Sequence, residues 1–223
     1  MIYTVTFNPS IDYIIFTDGF EIAGLNRAKA TYKFAGGKGI TVSRVLRTLD
    51  VDSTALGFSG GFPGDFITQT LEDSNIQSDF VQVDEDTRIN VKLKSGQETE
   101  INAPGPKVTH AQFEQLLSQI RRTTNDDIVI VAGSVPNSIP SDAYAQIAQI
   151  TEKTGAQLVV DAEKDLVETV LPYRPLFIKP NKDELEVMFN TTVSSDQDVV
   201  KYGKEILKKG AQSVIISLGG DGA

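Results

Sequence analysis

The sequence predicts an α/β protein: an open, mostly parallel sheet flanked by helices and interrupted by a β-hairpin. Three observations predict it. Short β-prone runs alternate with amphipathic runs of helical period along most of the 223 residues. That rhythm breaks at Thr87, where residues 88–94 alternate polar and apolar, turn at Ser95-Gly96 and return through 98–102. This is the pattern of a hairpin with one solvated face. Finally, Phe34-Ala35-Gly36-Gly37-Lys38-Gly39-Ile40 sets three glycines and a lysine between a β-prone run and an amphipathic one. Glycines there let the chain turn sharply, and a helix start and a lysine then face one small volume. Such a turn suits an anion, most simply a phosphate, although many Gly-rich turns are only structural.

In order, residues 2–7 read as a first strand that stops at Asn8-Pro9-Ser10, and 11–16 continue in an extended, apolar segment carrying the lone carboxylate Asp12. Asp12 is either an exposed turn residue or an acceptor for ligand hydroxyls. Residues 28–34 form a second β-prone run. From Ile40 the period changes, and Ile40, Val42, Val45, Leu46 and Leu49 can share one helical face. A strand follows over 54–58, then a flexible turn containing Gly57, Gly60, Gly61 and Gly64, a helix over 65–71 and a strand over 79–83. In the hairpin, Arg88, Asn90, Lys92 and Lys94 fall on one side because the side-chain period is two. They form either a charge-protected edge strand or a lid that presents cations to a bound anion.

After Ala103-Pro104-Gly105-Pro106 the α/β rhythm resumes, with a helix over 109–122 and a buried strand over 128–132. Gly133-Ser134 follows at the strand's C-terminal end, where ligands gather in open α/β sheets. Ser141 is expected to cap a helix reaching 154, with strands over 158–161 and 176–179, a helix opening at Ser195 and a buried strand over 213–217. A buried strand and a Gly-rich turn should feed a further element, so the C-terminal part of the fold is expected to be missing.

Composition narrows the function. A net charge of −9 argues against a general nucleic-acid binder, and it requires a few local cations if the ligand is phosphorylated. No cysteine is present, which removes disulfides, thiolate nucleophiles and Cys-based zinc sites. The single histidine, His110, lies in Thr109-His110-Ala111-Gln112, a capping-box pattern, and excludes most Ser–His–Asp schemes. No run reaches the roughly 18 apolar residues of a membrane helix, so no membrane partner and a cytoplasmic location are expected.

Taken together, Asn8-Pro9-Ser10-Ile11-Asp12, Ala35-Gly36-Gly37-Lys38-Gly39, Ala132-Gly133-Ser134-Val135-Pro136, Lys179-Pro180-Asn181-Lys182-Asp183-Glu184 and Ser217-Leu218-Gly219-Gly220-Asp221-Gly222 resemble the ribokinase-like (PfkB) carbohydrate kinase family. Thr87-Arg88-Ile89-Asn90-Val91-Lys92 and Glu100-Ile101-Asn102 with Gly105-Pro106 are most similar to its fructose-1-phosphate kinases, with tagatose-6-phosphate kinases close by. The resemblance implies a single ribokinase-like domain over 1–223 whose lid is formed by 10–35 and 87–104. It implies ATP-dependent phosphorylation of fructose 1-phosphate to fructose 1,6-bisphosphate with Mg2+, and a homodimer through the lid. A tagatose-6-phosphate or fructose-6-phosphate kinase is the alternative within the class. A non-catalytic sugar-phosphate-binding protein is the alternative outside it.

Roles carry over by position. Asp12 would accept sugar hydroxyls, with Gly36 and Gly37 approaching the sugar. Lys38 and Arg88, with Arg27 or Lys92, would bind the substrate's own phosphate, and Asn90 belongs to the same substrate face. Lys179, Asn181, Ser217, Gly219 and Gly222 would contact the nucleotide, and Glu184 the magnesium. Two departures stand out. Thr41 replaces the family's sugar-holding Asn, which either weakens the sugar site or leaves the Thr hydroxyl or a water to substitute. The family's catalytic Asp lies in a later Gly-Ala-Gly-Asp-like loop that Gly219-Gly220-Asp221-Gly222 does not match. The base is therefore expected beyond Ala223, and this chain alone is expected to be inactive.

Overall fold

The computed structural model describes residues 1–223, and its architecture follows from two sheets of different character. The first has six parallel strands: β1 (Ile2–Thr6), β4 (Thr54–Ser59), β5 (Gln77–Gln82), β8 (Ile128–Ala132), β9 (Gln157–Asp161) and β10 (Phe177–Ile178). They are ordered β10-β9-β8-β1-β4-β5. The chain grows from β1 toward β5 on one side and later from β8 toward β10 on the other. The connections after β1 and β8 therefore diverge, opening a crevice at the strands' C-terminal ends.

The second sheet contains β2 (Ser10–Phe16), β3 (Ala30–Gly36), β6 (Arg88–Ser95) and β7 (Gln97–Ile101), in the order β3-β2-β6-β7. The expected hairpin is β6–β7. Its first strand is not an edge, because β6 pairs in parallel with β2 and β7 takes the exposed edge. Asp12 lies opposite Asn90, and Ile14 opposite Lys92. The period of two therefore puts Asp12 on the face that carries Arg88, Asn90 and Lys92.

Helices α1 (Lys38–Thr48), α2 (Gly61–Asp73), α3 (His110–Ile120), α4 (Ala143–Thr154), α5 (Lys164–Val170), α6 (Lys182–Phe189) and α7 (Asp196–Lys209) complete the fold. None is long and apolar enough to cross a membrane. The main core sets Val5, Phe7, Val129 and Val131 against Phe113 and Tyr144 of α3 and α4. A smaller cluster joins Ile40, Ala55, Ile67 and Leu71 to Ile11 and Ala35, so the lid is rooted on α1 and α2.

Several expectations are corrected. The face of α1 that is buried is Gly39, Ile40 and Ser43, while Val45 and Leu49 stand 53% and 67% exposed. Small residues let α1 approach β1 closely, and a buried hydroxyl chain seals the contact: Thr4 Oγ1 to Ser43 Oγ at 2.7 Å and Ser53 Oγ to Ser43 Oγ at 2.9 Å. Gly57 belongs to β4, and Gly61 and Gly64 to α2, where a flexible turn was expected. α4 starts after Asp142, with no side-chain cap from Ser141. α5 and α6 are short helices that the pattern did not mark. Residues 213–217 do not form a buried strand. They pair with the β10 segment only as two bridges, Ile178 with Val214 and Asn181 with Ser217. Ile215 N–H donates to Ile178 O, and Ser217 N–H donates to Pro180 O. Pro180 has no N–H to donate between them, which splits the ladder.

At the base of β8, Asp127 is held by the Met1 ammonium at 2.8 Å and by Thr124 N–H at 2.7 Å and its hydroxyl at 3.0 Å. Chiefly through the ammonium, these lower the carboxyl below its usual 3.8 against the opposing effect of burial. A depressed acid stabilises the fold above its unfolded pKa, and that stability is lost as pH falls through the folded value. Urea midpoints at pH 6 and pH 3 should therefore converge in Asp127→Asn relative to the parent protein.

Candidate active site

The connections leaving β1 and β8 enclose a cleft of about 770 Å³ between the two sheets. Its lid-side wall comes from Ser10, Asp12, Arg88 and Asn90, and its floor from Thr6, Asn8 and Gly37. Its far wall comes from Gly133, Ser134, Asp161, Lys179, Asn181 and Glu184. Lys38 stands where the walls meet. On a chain of net charge −9, Lys38, Arg88 and Lys179 thus converge on one cavity. They share it with the carboxylates of Asp12, Asp161, Glu163 and Glu184, so three cations stand ready for a phosphorylated ligand while the cavity has no net positive charge of its own.

Asp12 is fixed by Ser10 Oγ at 2.8 Å and Asn90 Nδ2 at 3.4 Å, and Lys92 Nζ lies 3.6 Å from its other oxygen. Gly36 does not line the cleft, but it lies against Asp12: a Cβ there would sit 2.6 Å from Asp12 Oδ1. Lys92 also stays behind Asp12, paired with Glu100 at 3.3 Å. Burial disfavours its charge, yet Asp12 and Glu100 raise its pKa overall, while Lys92 holds Glu100 below its ordinary value. Arg88 donates Nε to Asn8 O at 3.2 Å and Nη1 to Ala103 O at 3.1 Å. A guanidinium has five N–H donors, so the remainder can serve a ligand. Burial lowers the Arg88 pKa, with Asp12 pulling the other way.

Gly37 is the N-cap of α1 at φ +120°, and the helix begins at Lys38. The lysine turns away from the lid cations and toward the far wall. Its Nζ is 3.1 Å from Asp161 Oδ1 and 3.8 Å from Glu184 Oε1. Asp161 also faces Lys179 at 3.6 Å. Thr41 lines the cleft with its hydroxyl donated to Gly37 O at 3.1 Å, leaving it only acceptor capacity.

Asn181 and Glu184 form a reciprocal capping box at the start of α6. Asn181 Oδ1 accepts Glu184 N–H at 2.7 Å, and Glu184 Oε2 accepts Asn181 N–H at 2.9 Å. The Asn-x-x-Glu spacing is therefore structural at one end of each side chain. Asn181 Nδ2 and Glu184 Oε1 remain for the cleft. Beneath the far wall, the Tyr144 hydroxyl donates to Gly133 O at 2.7 Å. Burial first, then the charges of Asp161 and Glu163, push the Tyr144 pKa up.

Residues 5–223 match the pfkB family carbohydrate kinase profile. The chain belongs to the pfkB family of carbohydrate kinases. It is 45% identical over 223 residues to the 1-phosphofructokinase of Bacillus subtilis, covering all of this chain and 74% of the relative. It is 36% identical to the D-tagatose-1-phosphate kinase of Bacillus licheniformis, again over the whole chain and 74% of the relative. A crystal structure from Staphylococcus aureus, provisionally named a phosphofructokinase, shares 79% identity and a TM-score of 0.86, over 99% of this chain and 72% of that one. Phosphofructokinase-2 of Escherichia coli, solved with fructose 6-phosphate, superposes at a TM-score of 0.91 with 29% identity, over 98% and 74%. The pfkB membership together with the 1-phosphofructokinase relatives makes the chain a sugar-phosphate kinase, and the open parallel sheet flanked by helices is the family's fold. The chain spans about three quarters of the length of these relatives.

Not every residue singled out in the sequence reaches the cleft. Asp12, Gly37, Lys38, Thr41, Arg88, Asn90, Lys179, Asn181 and Glu184 line it. Arg27 stands exposed in the β2–β3 connection and lines no part of it. Ser217 sits beside Asn181 through its bridge, while Gly219 and Gly222 lie in an exposed turn off the cleft. The sequence reading missed Asp161 and Asn8. Asp161 ends β9, a strand-terminal position of the kind already used to single out Gly133-Ser134.

Proposed function

We infer that the activity is ATP-dependent phosphorylation of fructose 1-phosphate to fructose 1,6-bisphosphate. One observation carries this reading: a single cleft sets Asp12, Arg88 and Asn90, which can hold a sugar phosphate, opposite Lys38, Asp161, Lys179, Asn181 and Glu184, which can hold nucleotide phosphates and a hydrated metal. The similarity to 1-phosphofructokinases at 45% and 42% identity supports fructose 1-phosphate as the acceptor.

In this reading Asp12 accepts hydrogen bonds from the sugar's hydroxyls and so orients its free primary hydroxyl. The free donors of Arg88 take the resident phosphate by its oxygens. Lys38 is reassigned from that phosphate to the phosphoryl group in transit, since it faces Asp161 and Glu184 across the cleft. The hydroxyl oxygen attacks the γ-phosphorus, the bond to the β–γ bridging oxygen breaks and ADP leaves, while the hydroxyl proton is released. Positioning and cationic stabilisation dominate such transfers. The lid sheet, rooted on α1 and α2, keeps water from the phosphoryl.

The donors present fit a hydrated magnesium ion. Asp161 and Glu184 offer hard carboxylate oxygens, yet both are already balanced by lysines, and no cluster of three acidic or histidine ligands exists. Mg2+ commonly keeps several waters and takes one or two carboxylates plus phosphate oxygens, where it neutralises phosphate charge.

A homodimer through the lid is supported by the same face that carries Asp12. Its outer half holds an exposed aromatic row in which Phe16 meets Tyr32 edge-on at 5.9 Å and Tyr32 stacks with Phe34 at 6.5 Å. Such a row is enriched at interfaces.

A tagatose phosphate kinase is the second reading, favoured by the relatives at 36% and 34% identity. A coupled assay of ADP release on the full-length gene product decides between them. We expect kcat/KM for fructose 1-phosphate to exceed that for tagatose 1-phosphate, tagatose 6-phosphate and fructose 6-phosphate by at least about tenfold. A higher value for any of the other three overturns the substrate, and no turnover with all four overturns the kinase reading.

A further inference from the structure

Four segments cross from the large sheet to the lid: 7–9, 36–37, 86–87 and 102–106. Three of them meet at one knot. Arg88, the first residue after the third crossing, donates to Asn8 O in the first and Ala103 O in the fourth. Asn8 Nδ2 then donates to Pro104 O at 3.1 Å, tying the first crossing to the fourth directly. Asn90 Oδ1 accepts Ala103 N–H at 3.2 Å and adds a second tie to the fourth. Asn8 is only 6% exposed, and its Oδ1 has no hydrogen-bond partner. Gly105, at φ +90°, packs so closely on that amide that a Cβ there would overlap Oδ1. A buried amide placed at such cost, with one acceptor unused, needs an explanation beyond local turn stability.

We propose that Asn8 is a positioning residue of the sugar-phosphate site: through Arg88 and Pro104 it sets the angle of the lid and couples phosphate on Arg88 to lid closure. The coupling follows from donor arithmetic. Two N–H groups of Arg88 hold the crossings, and the others are left for the substrate's phosphate. An anion that draws the guanidinium toward the cleft pulls on Asn8 O and Ala103 O together. Asn8 Nδ2 keeps those two segments moving as one. The coupling to phosphate rests on the substrate reading above, whereas the control of lid angle does not.

Hydrogen exchange separates the two. Without ligand, Asn8→Ala should speed exchange across the lid strands β2, β3, β6 and β7 by about five- to tenfold, the loss of one buried hydrogen bond. Amides of β1, β4 and β8 should keep parent rates, which also shows that the variant is folded. Change confined to residues adjoining the knot, or lid rates equal to the parent's, overturns the proposal. Gly105→Ala strains the knot from the other side. The +90° φ strains an alanine there in either background, but Asn8→Ala removes the clash with Oδ1, so the double variant should exchange more slowly than the product of the two single effects, and a fully multiplicative double variant overturns the proposal as well.

Fructose 1-phosphate is the probe for the second half. It should slow lid exchange in the parent protein and do so less in Asn8→Ala. In the full-length enzyme Asn8→Ala should raise KM for fructose 1-phosphate about tenfold with KM for ATP within about twofold. Equal shifts in both constants overturn the coupling. If the sugar phosphate leaves the parent's exchange unchanged, the substrate reading and the phosphate coupling fail, while the unliganded comparison still decides the control of the lid.

Discussion

Replacing Asp12 with alanine is expected to lower kcat/KM for the sugar phosphate by about a hundred- to a thousandfold. Hydrogen bonds to a charged group contribute about 1.5 to 3 kcal/mol each, and a carboxylate at this position can accept from two sugar hydroxyls. Its pre-organisation enlarges the effect. Ser10 and Asn90 hold one oxygen, Lys92 faces the other, and Gly36 leaves room for the group. Without Asp12, Lys92 keeps only Glu100. Asp12→Asn should recover part of the loss by keeping one acceptor. Steady-state kinetics on the full-length gene product checks this. A loss below about tenfold for Asp12→Ala would remove Asp12 from the sugar site.

The second large effect concerns Lys38. Lys38→Met should lower kcat by about a hundred- to a thousandfold while leaving KM for the sugar phosphate within about threefold. The physical reason is where the ammonium sits. It lies 3.1 Å from Asp161 on the far wall, in a cleft where Arg88 already serves the lid side. A cation felt mainly as charge develops in the transition state changes kcat, whereas one that grips the resident phosphate changes KM. An intact kcat with a raised KM would return Lys38 to the sugar's own phosphate. Asp161→Asn sharpens the contrast, since Lys38 and Lys179 both face that carboxylate.

Much of this molecule was legible before any coordinates. Period-two and period-3.6 patterns located most of the main strands and helices, because burial of one face imposes those periods locally. The Thr109 capping box was readable for the same reason, since all its partners lie within one helical turn. The Asn181–Glu184 pair shows the limit of motif reading: one spacing serves both a helix cap and a cleft lining. The apolar face assigned to α1 held at Ile40 and failed at Val45 and Leu49, because helix packing there relies on closeness. Gly39 and Ser43 permit an approach that Val45 and Leu49 would block. The strand expected over 213–217 failed because its neighbour contributes Pro180, and a strand needs donors on both sides of the ladder.

By itself the sequence determined the alternation of elements, the polar hairpin face with Arg88 and Asn90, and a glycine turn that delivers Lys38 at a helix start. Only the tertiary structure decided what Lys38 faces. Asp161 is 123 residues away along the chain, and it meets Lys38 because β1 and β9 flank β8 in one parallel sheet and end on the same edge. The tertiary structure likewise decided that Arg88 ties the lid crossings at Asn8 and Ala103 as well as lining the cleft. Local periodicity sets which way a side chain points from its own element. Strand order and register set what stands opposite, and no local pattern encodes those.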